Sequence, residues 1–110
     1  MEIVYTFDTQ NILWNVPKLA GTPPTRERGL TAVAGYNGLI YLFCGSKSIP
    51  VNTVTNDTFV LDTINLSWKK VSSTNAPSPR VQYGAVFLPQ NKSIIYMGMY
   101  YDFKQNMSFL

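Results

Sequence analysis

Histidine is absent from this chain of 110 residues, and cysteine occurs once, as Cys44. Without imidazole there is no Ser-His-Asp triad, no Cys-His dyad, no His-bearing zinc site and no copper site built on histidine. One cysteine excludes an intramolecular disulfide, and its place at the end of the apolar run Leu39–Cys44 reads as a buried structural thiol. That run is the longest apolar one and falls far short of the roughly 20 residues that a membrane-crossing helix takes. Charge is sparse as well: Asp, Glu, Lys and Arg make up 14% of the residues. The acids Glu2, Asp8, Glu27, Asp57, Asp62 and Asp102 are scattered, with no spacing that pairs two of them for hydrolysis. No Gly-x-Gly-x-x-Gly or Gly-Lys-Ser/Thr sequence occurs to cradle a phosphate. The expectation is a protein without catalytic activity, cofactor or metal.

Against these absences stands a repeat. Asp8, Thr9, Asn11, Trp14, Pro23, Arg26, Asn37 and Ile40 recur at an offset of 54 as Asp62, Thr63, Asn65, Trp68, Pro77, Arg80, Asn91 and Ile94. A period of about 50 residues carrying several short strands marks an array in which each unit is too small to bury its own apolar face. Aromatics at 14% and clusters of Val, Ile and Thr favour strands, so the fold class expected is all-β with almost no helix. The opening Met1–Asp8 carries an acid and alternates in character, which reads as a strand rather than a signal peptide.

Each unit shows the same succession. Residues 2–16 read as two strands joined by a turn at Thr9–Asn11. Residues 30–71 read as four, with Asn37-Gly38 as the first hairpin turn, and residues 83–110 as two more and the start of another. Long polar connections separate them at Lys18–Gly29, Gly45–Asn56, Asn75–Gln82 and Met99–Gln105. Within the units, Asp8 and Asp62 suit the capping of turn amides. Gly45 and Gly98 suit a positive φ after a strand, and Trp14 and Trp68 offer flat faces for packing between units.

The run Leu39–Gly45, the strand Asn56–Asp62, Trp68 six residues beyond that Asp, and the linker Pro77-Ser78-Pro79-Arg80 together resemble the kelch-repeat family over nearly the whole chain. The family's glycine pair after the second strand is reduced to one glycine in each unit, Cys44-Gly45 and Gly98-Met99. The resemblance implies β-propeller blades of four-stranded antiparallel meanders, about two per chain. The absence of Trp-Asp and Gly-His pairs separates it from the WD type of propeller.

In such a meander the tight hairpins lie at one end and the long connections at the other. Function is expected at the second end, where Arg26, Arg28, Lys47, Arg80 and Lys104 join Tyr100 and Tyr101 in the mix of arginine and aromatic area that protein contacts draw on. The repeated arginines have a second reading, as donors to carbonyls of their own linkers. Nucleic acid ranks lower, because nine Lys and Arg against six acids, a net charge of +3, form no dense tract.

Propellers close with about four to eight blades. Two blades leave apolar flanks and open strand edges. The sequence therefore leads to two expectations. Copies of the chain associate head-to-tail, three making six blades, to form a non-enzymatic interaction scaffold; or the chain is an excerpt of a longer propeller that supports a site elsewhere. As to compartment, the lone thiol favours a reducing one, while sequons at Asn56, Asn65, Asn91 and Asn106 fit an extracellular one.

Overall fold

The computed structural model describes residues 2–25, 27–47, 53–80, 82–102 and 106–109. All of the regular structure among them is β: β1 (Thr6–Asp8), β2 (Leu13–Asn15), β3 (Ala20–Gly21), β4 (Glu27–Arg28), β5 (Thr31–Ala34), β6 (Leu39–Lys47), β7 (Thr53–Asp62), β8 (Ser67–Val71), β9 (Tyr83–Leu88), β10 (Ser93–Asp102) and β11 (Asn106–Phe109). The central blade is the antiparallel meander β5-β6-β7-β8. Before it stands the β1–β2 hairpin, and after it the sheet β9-β10-β11.

The hairpins follow from turn chemistry. At β1–β2, Asp8 Oδ1 accepts the N–H groups of Gln10 (2.9 Å) and Asn11 (3.1 Å), while Oδ2 accepts Asn11 Nδ2 (2.9 Å). Asp62 repeats this on Ile64 and Asn65 at 2.9, 2.9 and 2.8 Å. Both turns end on a left-handed residue, Ile12 at φ 56° and Leu66 at φ 54°. Such a conformation costs a bulky residue about 1–2 kcal/mol, which the carboxylate-held turn offsets. Between β5 and β6, Asn37 and Gly38 take φ 58° and 73°, the pair of positive values that a two-residue hairpin needs. Thr63 N–H and Oγ1 both donate to the Gly38 carbonyl, at 2.9 and 2.6 Å, tying the two tight turns together at one end of the blade.

At the other end the strands run further than their composition suggests. The β6–β7 ladder shifts register between Phe43 and Gly45 and continues to Lys47↔Thr53. Gly45, at φ 129°, absorbs that bulge. The connection expected over Gly45–Asn56 is therefore largely paired ribbon. Likewise β10 passes through Met99–Asp102 and pairs with β11, where a loop was expected. The expected linker Lys18–Gly29 also contributes strand: Ala20–Gly21 runs parallel to Ser67–Trp68, and Glu27–Arg28 pairs with Ser46–Lys47.

Two clusters form the core. Phe59, Leu61 and Trp68 are buried on one face of the central blade, with Ile40 and Leu42 beside them and Val4 and Leu19 of the first unit laid over them. On the opposite face, Phe43 meets Tyr83 and Tyr96 of the third sheet, with ring centroids 6.1 and 4.8 Å away. Tyr83 fastens that sheet to the blade. Its hydroxyl donates to the Phe43 carbonyl and accepts from Thr31 N–H (3.2 Å), and its carbonyl accepts from Thr31 Oγ1 (2.9 Å).

Candidate functional site

Arg80 is the one sequence-predicted contact residue whose side chain lies within the described set, and it is withdrawn from solvent at 3% exposure. Its Nε donates to the Ser78 carbonyl (3.2 Å) and its Nη2 to Ser78 Oγ (3.3 Å). The guanidinium thus bonds its own linker, as the second of the two readings of the repeated arginines has it. Arg26 and Lys104 lie outside the described residues. Arg28 and Lys47 occupy adjacent register positions across β4 and β6, where Arg28 pairs Ser46 and Glu27 pairs Lys47. Tyr100 and Tyr101 stand on β10 opposite Ser108 and Met107, on strand rather than loop. Register thus places Arg28 and Lys47 at the outer end of the central blade, at successive rather than paired positions of the ladder, while Tyr100 and Tyr101 hold the repeat-equivalent end of the next sheet.

The architectural positions have definite surroundings. The carboxyls of Asp8 and Asp62 sit below their ordinary range: at Asp8 chiefly through the Asn11 side-chain amide, at Asp62 chiefly through the Asn65 backbone N–H. Gly98, at φ 120°, holds in β10 the backbone form that Gly45 holds in β6. Trp68 and Trp14 stand at the same place in the repeat and differ completely, since Trp68 is 7% exposed and Trp14 70%.

That contrast exposes a surface which reading residue by residue passed over. In the β1–β2 hairpin, Phe7 pairs Trp14, their ring centroids 4.8 Å apart. Tyr5, two residues before Phe7, and Val16, two after Trp14, extend the same face. All four are exposed. The repeat equivalents of Tyr5, Phe7 and Trp14 are the buried cluster Phe59, Leu61 and Trp68, while Val16 corresponds to the exposed Lys70. The signal was present in the alternation of Tyr5 and Phe7 with Val4 and Thr6. A second opening lies on the central blade's other face, a depression lined by residues that include Tyr41, Val60, Lys69 and Val71. Among the described residues, no three of His, Cys, Asp and Glu gather as metal ligands would.

The KLHDC2/KLHL20/DRC7 Kelch-repeats domain matches residues 1–109. The chain is 29% identical over 93 residues to the flagellar outer-arm dynein alpha chain of Chlamydomonas reinhardtii, covering 81% of this chain and 2% of that protein. It is 32% identical over 73 residues to the Rho GTPase-activating protein gacHH of Dictyostelium discoideum, covering 66% of this chain and 5% of that one. With Kelch domain-containing protein 3 of Rattus norvegicus it shares 28% identity over 76 residues, 69% of this chain and 19% of the relative. The chain thus spans between 2% and 19% of the length of these relatives.

Proposed function

The chain belongs to the kelch-repeat family, and from that premise we propose that it is a non-enzymatic protein–protein interaction scaffold whose blades join other kelch units in a propeller. Kelch repeats usually build interaction domains. The observation that carries the proposal is the pair of tryptophans: a surface buried between units at Trp68 lies open at Trp14, at the same place in the repeat. Burying it is worth about 25 cal/mol for each Å² of apolar area, which gives the array a driving force to continue. Three copies of this chain would supply six blades, and the residues at the seam decide whether a copy fits. Arg28, Lys47, Tyr100 and Tyr101, at the blade ends that remain after Arg80 is assigned to its linker, are the contact residues for a protein ligand.

Two measurements test this. Light scattering on the purified chain, alone and mixed with further kelch units, reads completion. A monomer that unfolds cooperatively and takes up no further blade would refute it. For the ligand face, alanine at Arg28, Lys47, Tyr100 and Tyr101 is expected to abolish partner capture with folding intact, and unchanged capture removes that role.

One observation favours a second reading. The relatives are many times longer than the matched region, which suits a propeller segment that supports an activity located elsewhere in a larger protein. A catalytic domain encoded in the same full-length transcript would favour it.

A further inference from the structure

The open flank of the first hairpin has a template for its occupant inside the molecule. Over Phe59, Leu61 and Trp68 lie Val4 and Leu19, and the chain after Leu19 adds to the edge of β8 as a parallel strand. Ala20 N–H donates to the Leu66 carbonyl at 3.0 Å, and Gly21 sits opposite Trp68. Gly21 has no substitute in that position. Its φ is +86°, and a Cβ built on it would lie 2.2 Å from the Trp68 carbonyl oxygen, a backbone atom that cannot swing aside. The covering segment therefore reads apolar, small, glycine.

Shifting this arrangement back by one repeat defines what covers Tyr5, Phe7 and Trp14. A preceding unit must place the same three-residue segment along β2. A copy of this chain would offer the repeat equivalents of Leu19, Ala20 and Gly21, which are Ser73, Thr74 and Asn75. Asn75 reproduces the left-handed bend, at φ 61°, and Thr58 has nearly the shape of Val4. But Asn75 carries the Cβ that the close approach forbids, and Ser73 brings a hydroxyl where Leu19 brings apolar area.

We propose that the β1–β2 flank is a docking site for a kelch unit other than this chain's own: one whose linker after its fourth strand carries an apolar–small–glycine segment, added in parallel to β2 over Phe7 and Trp14. This rests on the reading that other kelch units complete the propeller, and it names which unit the seam accepts.

The test rebuilds the segment in the chain itself. Ser73, Thr74 and Asn75 are all exposed, so the triple variant S73L/T74A/N75G leaves the core untouched. The wild-type chain is expected to keep Trp14 fully open to acrylamide quenching at every concentration. The triple variant is expected to gain mass in light scattering as concentration rises, with Trp14 quenching falling severalfold, and adding W14S is expected to restore the wild-type mass. If the triple variant loses its cooperative melt, S73L/N75G, which keeps the Ser72–Thr74 hydroxyl contact, takes its place. A wild type that assembles with Trp14 protected overturns the inference while propeller completion stands. A folded variant that stays at wild-type mass also overturns it, and completion is then judged by uptake of other kelch units.

Discussion

Asp8 and Asp62 each hold three donors of a four-residue turn, and their carboxylates do so only when ionised at full strength. Because folding lowers both values below 3.8, the folded state binds fewer protons than the unfolded one in that range. The linked stability is present above the unfolded value and disappears as pH falls through the folded values. The double variant D8N/D62N is expected to melt below the wild type at neutral pH, and to lose less in Tm than the wild type between pH 6 and pH 3. Thermal melts by circular dichroism across that range read both effects, and parallel pH profiles would show that the carboxylates do not hold the turns. Arg80 is a residue of another kind. Its guanidinium, bonded to Ser78, is buried against the linker it stiffens.

At the scale of elements, the sheets are joined by a few side chains rather than by continuous ladders. Tyr83 is the main one, since its hydroxyl is shared between the Phe43 carbonyl and Thr31 N–H inside the core. Tyr83→Phe removes the hydroxyl bonds and leaves those two groups to the β5–β6 ladder, at a cost of about 1 kcal/mol. Urea unfolding followed by tyrosine and tryptophan signals is expected to show that loss, and a change below about 0.5 kcal/mol would mean that water replaces the hydroxyl. This element also shows where sequence reading stops. Asn37-Gly38 and the two Asp turns were legible because their bonds close within a few residues. The Tyr83 bonds span 40 and 52 positions and exist only once the sheets meet. Strand length was hidden for a related reason: Gly45 and the polar residues after it have loop composition, yet the bulge lets the ladder resume beyond them. Of the candidate site, the aromatic–basic end was visible as residue types. The burial of Arg80 was not, because it depends on how the linker folds back.

At the scale of the whole molecule, the two tryptophans form a natural pair of probes, identical in type and repeat position and opposite in environment. Trp68 lies at 7% exposure beneath Val4 and Leu19, so Trp68→Ser removes a packed indole and leaves a cavity, at a cost of about 3–5 kcal/mol. Trp14 is 70% exposed and keeps mainly its tilted contact with Phe7. Trp14→Ser therefore costs about 1 kcal/mol in the isolated chain, the worth of one aromatic pair. It also removes the largest apolar group from an open flank, so it is expected to raise solubility while Trp68→Ser lowers it. The asymmetry belongs to the surroundings and not to the residues. When a kelch unit with the apolar–small–glycine linker covers the first hairpin, Trp14 enters the surroundings that Trp68 already has, and the cost of Trp14→Ser rises toward that of Trp68→Ser. Urea denaturation of both variants, with and without the covering unit, measures the convergence. Costs that stay far apart in the covered assembly would mean that the flank is not a seam between blades, whatever else it binds.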